Sequence, residues 1–332
     1  MSLLPSCKHR TGMGTSLAHR STDTVPHPDR DGKACPDGKG ERSMSLCEHA
    51  KDAAGDGRPH RFYRTVLETL NDAGVDYMVG GAYAFHCYTG IRRDTKDLDI
   101  FIRRDDFNRV SDALAAAGYI TELTFPHWLG KIRANGDLID LIFSSGNGVA
   151  EVDDAWFAHA PEVDVLDIPV RICPVEENIW SKAFILERER YDGADVAHLL
   201  HACARMLDWQ RLMQRFAPHW RVLLSHLVLF GFIYPAERML VPDWVMHALL
   251  DRLQQELQTP PKPQAVCGGT LLSREQYLVD VEEQGYLDAR LEPLGSMTRE
   301  QARIWTEAIP ERSARMAMTQ RKERGGEGSF RE

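Results

Sequence analysis

The run DLDIFI, Asp97 to Ile102, constrains this chain more than any other stretch. Leu98, Ile100 and Ile102 alternate with Asp97 and Asp99, which is the period of a strand and not of a helix. Both aspartates therefore share one face, and the three apolar side chains share the other. Two carboxylates one residue apart repel each other unless a cation lies between them. An oxygen-only pair of this kind suits magnesium or manganese, with phosphate oxygens completing the shell. A second strand, LIDLIF from Leu138 to Phe143, carries one aspartate in a wholly apolar run. A lone charge in such a place is costly, which puts Asp140 at the active face of the sheet, near the same ions. Asp137 is the rival third carboxylate. It follows the turn signal Asn135-Gly136 and is assigned to the hairpin end instead.

Upstream, Val79-Gly80-Gly81 ends a short apolar strand and leads into AYAFHCY, a helix start. Glycines at such a junction let backbone N–H groups approach phosphate at a helix N-terminus. The loop GIRRDTK then brings Arg92, Arg93 and Lys96 up to the aspartate pair, with Arg92 and Lys96 as candidate phosphate ligands. A DxD pair alone also describes a solvated strand face, and a glycine pair alone describes any tight turn. Glycine turn, DxD strand and a later lone strand aspartate, in that order, are more specific together.

In that order the chain resembles the nucleotidyltransferase superfamily, the polymerase-beta-like fold. Within it, the chain is similar to small bacterial nucleotidyltransferases, including those of toxin–antitoxin and phage-defence pairs. The resemblance implies that Gly80 and Gly81 are the phosphate-binding glycines and that Asp97 and Asp99 hold two magnesium ions. It implies that Asp140 helps hold the catalytic ion and orients or deprotonates the attacking hydroxyl. The family often has serine where this chain has Gly81, so one side-chain donor to phosphate is missing. The sequence WSK carries the likeness onto Lys182, a lysine that reaches toward the phosphates in similar proteins.

The implied reaction moves a nucleoside monophosphate from a nucleoside triphosphate such as ATP to a hydroxyl, releasing pyrophosphate. The acceptor stays open among a protein side chain, a tRNA end and a small molecule such as an aminoglycoside. Two other classes are weighed beside it. One is a non-catalytic, antitoxin-like module that binds a protein partner, and the other is a hydrolase using the same metal pair.

The rest of the chain sets the frame. The fold class expected is α+β, a nucleotidyltransferase-like mixed sheet with helices on one side, followed by a mainly α-helical C-terminal domain. Residues 1–58 lack apolar periodicity and read as disordered or loosely attached. Their histidines and cysteines fit no compact zinc spacing. Residues 59–173 form the catalytic domain, 174–258 a helical domain packed on it, 259–314 a helical extension after TPPKP, and 315–332 a flexible tail. Val165 to Cys173 reads as one strand, and Asp105 or Asp106 as the cap of the following helix. Asp192 and Asp195 read as helix-cap residues that also bind Arg188 or Arg190, and Ser273 with Gln276 as a capping box. Gly268, Gly269, Thr270 and Arg274 are a lesser candidate for holding an acceptor anion.

With 332 residues and a formal net charge of -9, the chain shows no general nucleic-acid footprint. Seven scattered cysteines do not describe a disulfide scaffold. The longest apolar stretch, Val222 to Tyr234, falls short of the ~20 residues that span a bilayer. No membrane association and a cytoplasmic location are expected.

Overall fold

In the computed structural model, residues 58–309 are described, apart from 135 and 262. They belong to a single compact unit, so the expected boundaries near Pro174 and Thr259 are changes of composition within it. The expectations for residues 1–57 and for the tail beyond 309 lie outside the described residues.

The chain enters through α1 (Arg58–Asp72), whose Val66, Leu67 and Leu70 are fully buried. A short strand β1 (Met78–Val79) leads to α2 (Gly81–Thr89), which Gly90 closes in the left-handed conformation. Next come β2 (Asp97–Phe101), α3 (Phe107–Ala116), β3 (Ile120–Phe125), β4 (Leu129–Ala134) and β5 (Asp137–Ile142). The five strands lie in the order β1-β2-β5-β4-β3. Only β2 and β5 pair in parallel; the other neighbours are antiparallel, so the sheet is mixed. Leu98, Ile100, Ile139 and Leu141 are fully buried on the face that α1 and α3 cover. At roughly 1.5–3 kcal/mol for each fully buried aliphatic side chain, that layer fixes the strand phase. The aspartates are left on the opposite face by alternation alone.

Two local expectations are corrected. The stretch Val165 to Cys173, read as one strand, instead holds the turn and second strand of a hairpin formed by β6 (Glu162–Val165) and β7 (Ile168–Arg171). Leu166 and Asp167 turn it with positive φ, a role the sequence hides because neither is glycine. Asp105 and Asp106 sit in a 3-10 turn with no side-chain cap, and Asp106 is drawn to Arg103 at 3.2 Å instead.

The C-terminal part is mainly helical. It comprises α4 (Asp154–His159), α5 (Val175–Lys182), α6 (Gly193–Cys203), α7 (Trp209–Arg215), α8 (Trp220–Ile233) and α9 (Asp243–Leu257). Trp209 and Trp220 are buried anchors, whereas Trp244 is half exposed. Among the described residues, no single helix is long and apolar enough to cross a membrane. After α9 come the paired strands β8 (Val266–Cys267) and β9 (Leu287–Asp288), with α10 (Leu278–Glu282) between them, and then α11 (Arg299–Glu307).

This last segment folds back on the sheet. Asn147 Nδ2 donates to Leu271 O at 2.6 Å, Ser296 Oγ to Gly148 O at 2.7 Å, and Leu186 N to Leu272 O at 3.1 Å. The expected extension is therefore a roof over the sheet's open face.

Candidate active site

Alternation puts Asp97, Asp99 and Phe101 of β2 on the face away from α1 and α3, and Asp140 and Ile142 of β5 on the same face. The parallel register sets Asp99 directly opposite Asp140. All five line one cavity of about 610 Å3. Asp137 lies at the start of β5, paired with Ala134 at the hairpin end, and does not line the cavity.

The electrostatics follow from this crowding. Burial, then the neighbouring Asp97 and Asp140 charges, pushes the Asp99 carboxyl from 3.8 up to about 7, with Lys182 and Arg190 opposing. Burial also raises Asp140 above its ordinary value, although Lys131 Nζ donates to its Oδ1 at 2.7 Å. Asp97 accepts from Thr95 Oγ1 at 2.8 Å. Carboxylates held together with so little counter-charge fit a hard divalent cation. Asp97 and Asp99 would hold it, with Asp140 beside them. Among the described residues, no group of three or more His, Cys, Asp or Glu side chains is arranged to hold a metal ion, so Asp140 does not close a three-carboxylate site with Asp97 and Asp99. A site on the Asp97–Asp99 pair would leave an ion positions for phosphate oxygens and water.

The glycine pair divides its work differently from the expectation. Gly80 N–H donates to Asp99 O at 2.9 Å, and Gly80 does not line the cavity, so its amide is spent on the sheet. Gly81 and Ala82 do line it, and they open α2, where first-turn N–H groups have no intrahelical acceptor. Gly81 has φ +51, and a Cβ there would overlap Asp99 Oδ2. A side chain here would be strained by the positive φ and would have to displace the Asp99 carboxylate. Gly81→Ala should cost about 1–3 kcal/mol in urea unfolding, the usual range for such strain. Gly231→Ala in α8, where a Cβ meets only ordinary contact, should change stability little.

The basic groups also shift. Arg92 and Lys96 are exposed and do not line the cavity, whereas Arg93 does. The loop before β2 has no regular period to fix which side chain turns inward. Arg93 is drawn in by Asp195 at 2.5 Å and by the Phe85 ring, whose centroid lies 4.4 Å from the guanidinium carbon. Lys182 lines the cavity as expected of its position, with Nζ bonded to Asp195 at 2.8 Å and to Asp192 at 3.4 Å. Arg190 pairs with both oxygens of Asp192, each at 3.0 Å. Burial pushes Asp192 up, but Arg190 and Lys182 overcome it and hold the carboxyl below its ordinary value. Neither Asp192 nor Asp195 caps α6 with its side chain, and Arg188 pairs with Glu189 instead. One wall thus carries a chain of alternating charges, Arg93–Asp195–Lys182–Asp192–Arg190, facing the acidic floor.

Sequence reasoning missed Lys131, Arg93 and Trp305 as site residues. Lys131 had a signal. With Ala134 paired to Asp137 across the turn, counting outward sets Lys131 opposite Asp140. Thr270 and Arg274, named as a lesser candidate for an acceptor anion, do line the cavity, but their closing over the sheet together with Trp305 left no local signal, because the roof's contacts span more than 80 residues of sequence.

Residues 63–159 match the family model of the aminoglycoside-2''-adenylyltransferases. This stretch is a nucleotidyltransferase domain. The match covers under a third of the chain and includes Asp97, Asp99 and Asp140. No curated protein matches the chain. Among solved structures, the nucleotidyltransferase domain is similar in fold to the antibiotic-resistance factor ANT(2'')-Ia. That likeness has 17% identity, covers 50% of this chain and 95% of that one, and has a TM-score of 0.36. The lincosamide antibiotic adenylyltransferase LnuA, with lincomycin bound, gives 17%, 43% and 96%, and 0.31. An antigenic nucleotidyltransferase-like protein from Paracoccidioides brasiliensis gives 16%, 57% and 96%, and 0.38.

Proposed function

We propose that the protein transfers a nucleoside monophosphate from a nucleoside triphosphate to a hydroxyl of a small molecule, with magnesium or manganese at Asp97 and Asp99. One observation carries this reading. Asp97, Asp99 and Asp140 share one sheet face, in register, at the foot of the α2 N-terminus.

Each part of the cavity has work in that reaction. The free amides of Gly81 and Ala82 suit phosphate oxygens, and the helix end favours their charge. Arg93 and Lys182, anchored by Asp195, bring positive charge to the triphosphate without having to be ordered on binding. The divalent ion supplies Lewis-acid polarisation of the phosphate and a lower pKa for a bound hydroxyl. Asp140 is a stronger base than an ordinary carboxylate because burial raises it. Lys131 holds its carboxylate in one orientation. The acceptor oxygen forms a bond to the α-phosphorus, its proton passes to Asp140, and the bond to the β-phosphate oxygen breaks to release pyrophosphate. The roof of Thr270–Arg274 and Trp305 favours a small acceptor over a tRNA end or a protein side chain. The aminoglycoside-2''-adenylyltransferase match supports the same class of acceptor.

The test is pyrophosphate release from each of the four nucleoside triphosphates, with magnesium or manganese and a fractionated small-molecule extract. Release that needs both the metal and one fraction supports the reading; release independent of any fraction points to hydrolysis.

Asp99 adds a second check. Its carboxyl titrates near 3.8 when unfolded and about 7 when folded, so the folded state retains a proton between those values. The metal-free protein therefore loses stability as pH rises through that window. Its Tm should fall from pH 5 to pH 8, and Asp99→Asn should flatten the fall. Magnesium should raise the wild-type Tm more at pH 8 than at pH 5, since the ion needs the carboxylate. Equal pH slopes for the wild type and the variant would contradict this electrostatic picture.

A further inference from the structure

The cavity has two unlike ends. The α2 N-terminus follows β1 and Arg93 precedes β2, with Lys182 tied to Arg93 through Asp195, and the transfer reading assigns the triphosphate to this side. Asp140 stands on β5, the next strand across, and its partner Lys131 is on β4. A hydroxyl reaching Asp140 therefore arrives from the β4 side, under the roof. That end is aromatic. Trp128 and Trp305 both line the cavity and meet edge to face, with centroids 5.1 Å apart. Phe125 backs both of them, at 5.8 Å from Trp128 and 4.9 Å from Trp305. Trp305 is seated where only glycine leaves room, because a Cβ on Gly146 would lie 2.8 Å from its ring. Arg274 lies over the Trp305 ring, its guanidinium carbon 4.3 Å from the centroid.

Charge at this end is sparse. Asp192 and Asp195 are occupied by Arg190, Lys182 and Arg93, and Asp140 by Lys131. Asp97 and Asp99 belong to the ion. Among the described residues, what remains on the lining is Glu187, which accepts from Arg274 N at 3.2 Å, and the Arg274 guanidinium itself. One carboxylate beside one guanidinium gives no net attraction for a molecule carrying several ammonium groups, and desolvating those groups is costly.

We propose that this end is the acceptor subsite, and that it takes a hydroxylated small molecule with a flat apolar face and no net positive charge. The flat face packs against Trp128 and Trp305, and a carboxylate or carbonyl on the acceptor bonds to Arg274. The expected acceptor is thus unlike a polycationic aminosugar. This inference rests on the nucleotidyl-transfer reading, because that reading assigns the opposite end to the triphosphate.

Isothermal titration on the full chain separates the two. An analogue of each of the four nucleoside triphosphates, blocked between the α- and β-phosphates, is titrated first with magnesium; failure of all four to bind removes the transfer reading itself. On the nucleotide-loaded protein, p-nitrophenyl glucuronide, a hydroxylated monoanion with a flat nitrophenyl ring, is then compared with kanamycin, a polycation. The glucuronide should bind and kanamycin should bind at least tenfold more weakly. Trp305→Ala and Arg274→Gln should each weaken the glucuronide at least tenfold while leaving nucleotide affinity unchanged, and Trp305→Phe should restore most of it. Kanamycin binding as tightly as the glucuronide, or no binding of the glucuronide to a protein that still holds nucleotide, overturns the proposal. So does loss of nucleotide affinity in folded Trp305→Ala, which would assign the aromatic end to the nucleobase.

Discussion

Asp97→Asn combined with Asp99→Asn should reduce nucleotidyl transfer by roughly 10³-fold or more while leaving the fold intact. In the proposed reaction the two carboxylates would hold the ion, and asparagine keeps their size while removing their charge. Stability should hold or rise in the metal-free protein. Burial and the neighbouring charges of Asp97 and Asp140 already push Asp99 up to about 7, so removing charge relieves repulsion in the resting site. The buried side of β2, with Leu98 and Ile100 at 0% exposure, is untouched. Far-ultraviolet circular dichroism and urea unfolding check the fold, and pyrophosphate release checks the reaction. A double variant that retains activity would remove these residues from the site. One that unfolds would show that the pair serves the sheet rather than the chemistry.

Arg211→Met should destabilise the protein by about 3–4 kcal/mol, the range for breaking a buried ion pair from one side. Arg211 donates through Nη1 to both oxygens of Glu177, at 2.6 and 2.7 Å, and pairs through Nη2 with Glu176. Glu177 has no exposed side-chain surface, and only Arg215, at 3.0 Å, would remain to it. Arg215 in turn reaches Asp153 with both terminal nitrogens, at 2.6 and 2.8 Å. Asp153 also caps α4 through the amides of Ala155 and Trp156. This cluster joins α7 and α4 to the first turn of α5, whose last residue is Lys182. Loosening it should therefore also weaken nucleotide binding. The control is Arg221→Met, which removes an exposed pair with Glu256 and should change stability by less than about 1 kcal/mol. Equal effects in urea unfolding would show that the buried cluster contributes nothing special.

The parts of the fold written in the sequence are those governed by short-range periodicity. DLDIFI could be phased as a strand because its apolar residues alternate, and the structure keeps that phase with Leu98 and Ile100 in the core. The α+β class and the mixed sheet follow from such stretches. The hairpin at Leu166-Asp167 was not legible, since positive φ at two non-glycine residues leaves no mark in composition. Arg93 could not be told from Arg92 or Lys96, because an irregular loop has no period and the choice is made by Asp195, about 100 residues away. The spending of the Gly80 amide on Asp99 O depends on β1 lying beside β2, which no local pattern states. The roof is the extreme case. Trp305 reaches Gly146 and Trp128 only because the last segment doubles back over the sheet.

Comparing two labels on the same nucleotide tests the central claim most directly. The protein, magnesium and the active acceptor fraction are incubated with triphosphate labelled at the α-phosphorus, and in parallel at the γ-phosphorus. Transfer of a nucleoside monophosphate predicts α-label on the acceptor product and γ-label wholly in pyrophosphate, both lost when Asp97 and Asp99 are asparagine. Appearance of γ-label on the acceptor, or of α-label only as free nucleoside monophosphate, would contradict it.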